Sequence, residues 1–300
     1  TSADVRGSSR NTDVPTVGGQ FGDALTNEAG AGGGSVAREV VEPDVIRRDG
    51  NILYVLNQYR GLTLVNLDTQ AILAQVPTYG FPRDLYVRGT RAYVLVGQAG
   101  SYMVTGGVTS FDVNARLYVV DISTPSEAQV VSQFDLQGDL VDSRLVGDVL
   151  YAVGGEYQWN VVDGGTGGAV PSVQKDLTGT SWVTSVNVSD PANIHEADRL
   201  SFSGQGTVIQ ATADAIFVAA PDWAGSASTI TYVDISDPAG ALVTRGSVPV
   251  QGQIADRFKM DAYNGVLRVV SSVWTPERRV NLTTINLADP DNLAVLAQHD

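Results

Sequence analysis

Five times along this chain a β-rich run meets an Asp or Asn, passes through a short turn and continues as a second β-rich run. The runs are LTLVNLDTQAILAQV at 62–76, LYVVDISTPSEAQVVSQFDL at 117–136, WVTSVNVSDPANIHEADRLSF at 182–202, ITYVDISDPAGALVTRGSV at 230–248 and LTTINLADPDNLAVLAQ at 282–298. The pivots are Asn66, Asp121, Asn187, Asp234 and Asn286. Short Asx side chains bond to nearby backbone N–H groups, and a following Pro cannot donate, so each pivot reads as the turn of a hairpin. Self-similarity at a spacing of tens of residues constrains the fold more than any single segment does.

Upstream of each pivot lies a second hairpin. Its first strand carries some charge: EPDVIRRDG, PRDLYVRGT, VDSRLVGDV, TVIQATADA and DRFKMDAYNG. Tight turns follow at Asp49-Gly50, Gly89-Thr90, Gly147-Asp148, Ala213-Asp214 and Asn264-Gly265. Asn-Gly between β-rich runs is a strong short-range hairpin signal. The strands ILYVLN, AYVLVG, VLYAVG, IFVAA and VLRVVS come next. The expectation is an all-β chain of about five four-stranded antiparallel units at 44–80, 81–138, 139–204, 205–254 and 255–300. Such units bury their faces only by stacking radially, which is a β-propeller. The chain reads either as a short propeller or as part of a larger one.

The connection between the second and third strands varies in length. From the strand-2 aromatic to the pivot it is 12 residues in the first unit (Tyr54 to Asn66), 28 in the second (Tyr93 to Asp121), 36 in the third (Tyr151 to Asn187) and 17 in the fourth (Phe217 to Asp234). All of this variation falls on one face of a propeller, and function usually sits where loops vary on a rigid scaffold. Tyr102, Met103, Tyr157, Trp159, Trp223 and Trp274 lie in these connections or at their edges, and aromatic side chains of this kind anchor protein interfaces and stack on sugar rings. The bland alternative is that each long loop buries its own aromatic. Residues 1–40 form a Gly-rich leader with GAGGGS at 30–35. Within it NTDVPTV at 11–17 has the character of an edge strand, since Pro15 is tolerated only at an edge.

EPDVIRRDGNILYVLN at 42–57 and FKMDAYNGVLRVVSS at 258–272, with the Val-Asp-Ile-Ser-Asp-Pro pivots, resemble two landmarks of a secreted bacterial and archaeal β-propeller family whose members carry a C-terminal propeller domain. The resemblance implies an exported protein, extracellular, at the cell surface or in the periplasm. It implies no reaction. Thr1 is not an initiator residue, so the chain reads as mature or trimmed, with its targeting segment gone.

With 33 acidic and 19 basic residues the formal charge is −14. That repels nucleic acid and anionic membranes and leaves a protein or glycan at the cell surface as the expected partner, with self-assembly through residues 1–40 a further route. There is no cysteine, so thiolate metal sites and cysteine nucleophiles are excluded. His195 and His299, the two histidines, sit in different units, and no Gly-x-Ser-x-Gly elbow is present. No cofactor and no metal are expected. A calcium ring through Asp121 and Asp234 is the weak exception, because Asn at the other three pivots favours simple turn capping. Asp44, Arg83, Asp84, Asp142, Arg144, Arg257 and Lys259 are expected to line the central channel. There the carboxylates either form a hydrolase site at the channel mouth or are simply solvated.

The sequence thus favours a non-enzymatic binding or assembly module. An extracellular hydrolase and a structural subunit of a surface filament or layer are the alternatives.

Overall fold

The computed structural model describes residues 38–300 except 42, 100, 106–107, 113, 156–158, 163–171, 176–179, 204–206, 223–225 and 274–276. The chain is all-β, and its main body is a β-propeller of five four-stranded antiparallel blades. Blade 1 comprises Ile46–Asp49, Ile52–Asn57, Gly61–Asn66 and Ile72–Val76. Blade 2 comprises Phe81–Arg88, Arg91–Gly97, Ala115–Asp121 and Gln129–Leu136. Blade 3 comprises Asp139–Val146, Val149–Gly155, Thr180–Asn187 and His195–Ser203. Blade 4 comprises Val208–Ala211, Ala215–Asp222, Ala227–Asp234 and Val243–Gln251. Blade 5 comprises Met260–Tyr263, Val266–Val273, Arg279–Asn286 and Ala294–His299.

The pivots explain why the third strand turns into the fourth. In every blade the pivot Oδ1 accepts from the backbone N–H two residues on: Asp68 (2.9 Å), Ser123 (2.9 Å), Ser189 (3.0 Å), Ser236 (2.9 Å) and Ala288 (3.0 Å). The residue after each pivot then donates its own N–H to the 1–2 turn of the same blade. Leu67, Ile122, Val188, Ile235 and Leu287 reach the carbonyls of Asn51, Thr90, Asp148, Asp214 and Gly265, each at 2.9 Å. The 1–2 and 3–4 turns are therefore tied together on one face, here called the turn face. Asn264 and Gly265 have φ of 50° and 70°, the left-handed pair a two-residue hairpin turn requires. A β-bulge sits just before the pivot in every 3–4 ladder, adding local twist to the outer edge of each blade.

Period-2 alternation gives each blade two apolar faces, and neighbouring blades bury them against one another. Four clusters result. Tyr54, Leu62 and Leu64 of blade 1 meet Val94 and Val120 of blade 2. Leu95 and Leu117 of blade 2 meet Leu150 and Val186 of blade 3. Tyr151 and Val183 of blade 3 meet Ile216 and Val233 of blade 4. Phe217 and Ile230 of blade 4 meet Leu267 and Ile285 of blade 5.

Before blade 1 the chain crosses the inner strands of its neighbours in reverse order. Val40 and Val41 pair antiparallel with Val146 and Leu145 of blade 3. Asp44 then bridges Leu85 of blade 2, and Ile46–Asp49 becomes the inner strand of blade 1. Arg38 anchors the start of this run by donating to the carbonyls of Ala213 (2.7 Å) and Ile235. The edge strand expected at 11–17 lies outside the described residues.

The long 2–3 connections of blades 2 and 3 are not plain loops. Each contains a two-stranded ribbon, Ser101–Thr105 with Val108–Asp112 and Trp159–Val162 with Ser172–Lys175. In the first, alternating residues flank Gly106-Gly107, which is itself a hairpin signal.

Candidate binding face and inner channel

The inner strands of blades 2 and 3 kink at the same repeat position. A register shift falls between Pro82 and Asp84 in one and between Leu140 and Asp142 in the other. The two carboxylates follow their bulges at equivalent heights on neighbouring strands, so the repeat itself brings them together. Both are buried, at 6% and 5% exposure. Ser143 donates to Asp84 Oδ2 at 2.5 Å and shares a second hydrogen bond with the Tyr86 hydroxyl at 2.8 Å. Arg144 donates to Asp142 Oδ1 at 2.8 Å and also binds the carbonyls of Ser143 and Ile209. Arg257 enters from blade 5, 3.2 Å from Asp142 Oδ1 and 3.9 Å from Asp84 Oδ1.

Desolvation is the main reason the Asp84 carboxyl titrates above its ordinary range; the Ser143 hydrogen bond opposes it, the nearby Asp142 charge adds to it, and Arg257 and Arg144 pull the other way. Burial also pushes the Tyr86 hydroxyl well up.

The charges expected in a wet channel are thus divided. Asp84, Asp142 and Arg144 form a dry network with Arg257. Arg83 points away from it and pairs with Asp139 at 3.0 Å near the surface. Asp44 is exposed and accepts from the N–H of Val45 at 2.7 Å. Arg257 and Lys259 are not on an inner strand. They stand on a 3-10 turn, Arg257–Lys259, because the Asp256 side chain caps Phe258 N–H at 2.9 Å and delays the strand until Met260.

The face opposite the turn face carries the 2–3 and inter-blade connections. At the junction of blades 1 and 2 they enclose a cleft of about 520 Å³, lined by residues 58–61 of the blade 1 connection, Gln75, residues 77–81 and Gln98. Its aromatic side chains stay in water: Tyr59 is 90% exposed, Tyr79 75% and Phe81 45%. Two glycines shape the floor. Gly61 has φ +71°, and a Cβ there would stand 2.1 Å from the Val76 carbonyl. Gly80 has φ +130°, and a Cβ would stand 2.7 Å from the Gly97 carbonyl. The Asn57 side chain accepts from Tyr59 N–H at 2.8 Å and fixes the loop that presents the ring. The Tyr118 hydroxyl lies 3.2 Å from Tyr79 N–H and holds the second loop. Gln58, Gln75, Gln98 and Arg60 supply polar groups around the rings.

Among the residues expected on this face, Tyr102 and Met103 lie in the blade 2 ribbon and Trp159 in the blade 3 ribbon. Tyr157, Trp223 and Trp274 lie outside the described residues. His195 is exposed, with Nδ1 2.9 Å from the Asn193 carbonyl. Asp121 and Asp234 serve their own turns and pair with Arg91 (2.7 Å) and Arg245 (3.1 Å). Tyr59, Tyr79 and Phe81 were not singled out from the sequence. Their signal was an aromatic beside a glycine in two short connections, QYRG and TYGF.

A family model described as a beta propeller domain matches residues 36–300. No curated protein matches. Among solved structures, one with Saccharomyces cerevisiae Dbp5 bound to Nup159, Gle1, IP6 and ADP aligns at 7% identity and TM-score 0.41, covering 83% of this chain and 62% of that one. A Bacteroides fragilis protein with a provisional 6-phosphogluconolactonase name aligns at 11% identity and TM-score 0.36, covering 86% and 82%.

Proposed function

We propose that this chain, which belongs to the beta propeller domain family over residues 36–300, is a non-enzymatic binding module that takes a glycan at the cleft between blades 1 and 2. The carrying observation is the trio Tyr59, Tyr79 and Phe81, held in water on fixed loops around one cleft. Aromatic rings left exposed lose hydration when an apolar sugar face stacks on them, and glutamine amides answer the sugar hydroxyls. The setting is extracellular or at the cell surface, a reading supported by the resemblance to secreted propellers. The −14 charge disfavours nucleic acid, and among the described residues no helix is long and apolar enough to cross a membrane.

Calorimetric titration with a panel of neutral oligosaccharides tests this. Replacing Tyr59 and Tyr79 together by Ala is expected to weaken binding at least ~10-fold while the melting temperature stays put. Absence of binding by the unaltered protein, or unchanged affinity in the double variant, overturns it. A protein ligand captured through the same two tyrosines would keep the site and change the ligand class.

A hydrolase is the second reading, favoured by Asp84 and Asp142 sharing Arg257. Their burial and their commitment to Arg144 and Ser143 leave little room for a substrate. Hydrolysis of any polysaccharide that disappears in Asp84→Asn would establish it.

A further inference from the structure

The cleft between blades 1 and 2 differs in charge from the chain that builds it. Acidic residues outnumber basic ones by 33 to 19 in the sequence. Of the eleven residues that line the cleft, none is acidic and one, Arg60, is basic. The lining therefore carries a single positive charge in a protein whose total is −14.

Arg60 is also unengaged. Ten other arginines among the described residues hold a carboxylate of this chain. Arg60 does not. Its backbone N–H donates to Asn57 Oδ1 at 3.3 Å, beside that of Tyr59 at 2.8 Å. Among the described residues its guanidinium has no partner. One turn oxygen thus sets the backbone of the ring and of the cation side by side at the same cleft.

The carboxylate bonded to the lining is already neutralised. Asp139 Oδ1 accepts from Gln98 N–H at 3.3 Å, and its Oδ2 pairs with Arg83 at 3.0 Å. Charges farther off are screened over about 8–10 Å at physiological salt. The total charge therefore does not decide what Arg60 meets.

We propose that the cleft takes an acidic glycan, a saccharide whose carboxylate is held by the Arg60 guanidinium while a sugar face stacks on Tyr59 or Tyr79. This rests on the glycan reading of the same cleft and narrows it to carboxylated sugars. A guanidinium presents coplanar N–H donors in a fork that matches the two oxygens of a carboxylate, and such charge-assisted pairs are stronger than neutral ones. Arg60 is exposed, so the pair forms without the full dehydration that offsets a buried one. Gln58, Gln75 and Gln98 remain for the hydroxyls.

The test uses pairs of oligosaccharides that differ in one group: uronate-bearing chains, and the same chains with each carboxylate reduced to a hydroxymethyl group. Calorimetric titration at low salt is expected to give at least ~10-fold tighter binding of the uronate member. That advantage should shrink as sodium chloride is raised. In Arg60→Gln the two members should bind alike. In Arg60→Lys, where a point charge replaces the fork, part of the advantage and its salt dependence should remain. Equal binding of the two members by the unaltered protein overturns the proposal, as does an advantage that survives in Arg60→Gln. Equal binding that is still weakened by replacing Tyr59 and Tyr79 with Ala leaves the glycan cleft standing and removes only its preference for acidic sugars. Binding of neither member removes both readings.

Discussion

On the turn face every blade repeats the same two bonds, an Asx oxygen to the N–H two residues on and the next N–H to the 1–2 turn carbonyl. On the opposite face the connections differ from blade to blade, from the short turn after Asn57 to the ribbons of blades 2 and 3. The difference separates what fixes the fold from what is free to acquire function. A turn that ties strands 1–2 to strands 3–4 is needed in each blade. A 2–3 connection need only span the gap, so its length and chemistry vary without loss of the blade.

The largest expected effect tests whether the loop face is uniformly tolerant. Gly61→Ala places a Cβ 2.1 Å from a backbone oxygen at φ +71°, and should destabilise by roughly 3 kcal/mol in urea titration. Gly50→Ala, on the turn face at φ +52° with nothing within 4 Å, should lose only about 1 kcal/mol. If the two losses are equal, space is not what distinguishes the positions.

Next come the pivots. Asp121→Ala should destabilise by about 1 kcal/mol, the value of a lost cap. Asp121→Asn should recover most of it, because Asn66, Asn187 and Asn286 make the same bond. A pivot that tolerates Ala would mean the backbone bond alone sets the turn.

Acid sharpens the contrast between turn face and channel. The Asp121 carboxyl is held below the ordinary carboxylate value of 3.8, first by the N–H of Ser123, then by its hydroxyl and Arg91. Burial pushes the Asp234 carboxyl up, but Ser236 and Arg245 outweigh it and its net shift is downward. The folded state binds these protons less readily than the unfolded chain, so both groups stabilise above 3.8 and that stability is lost as pH falls through their folded values. Asp84 is raised and runs the other way: its contribution is present below 3.8 and lost as pH rises through its folded value. Stability between pH 6 and 2 should therefore fall less steeply in Asp121→Asn, and more steeply in Asp84→Asn, than in the unaltered protein. Thermal unfolding across that range checks both signs.

The smallest stability effect belongs to the cleft. Tyr59→Ala should shift stability by no more than ~0.5 kcal/mol, as exposed surface positions do, while it weakens the proposed glycan binding, as a paired thermal melt and oligosaccharide titration would read.

The blades were legible in the sequence because each is specified locally. LYVVDISTP contains its strand, its turn oxygen and its stop within nine residues. The cleft was not. Tyr59 and Tyr79 each sit in an unremarkable connection, and only the blade 1–2 junction sets them around one space. The long connections drew attention to Trp159 and Tyr102 by length alone, while the cleft formed from two of the shortest. Asp84 and Asp142 stand on the inner strands of blades 2 and 3, but nothing near them in the sequence shows that they are dry. Part of their surroundings comes from far along the chain: Arg257, more than a hundred residues away from either, stands 3.2 Å from Asp142 Oδ1.

The run from Arg38 to Asp49 has a temporal consequence. Arg38 is bonded to the Ile235 carbonyl, 197 residues later in the chain. At a synthesis rate of about 5–20 residues per second, that partner emerges roughly 10–40 s after Arg38 does. Through this interval blade 1 can pair its own strands, and the segment before it docks stepwise, first at Leu85 of blade 2 and then at Leu145 and Val146 of blade 3, with Arg38 last. Arg38 is thus latched only when the blade 4 turns that supply the Ala213 and Ile235 carbonyls have formed.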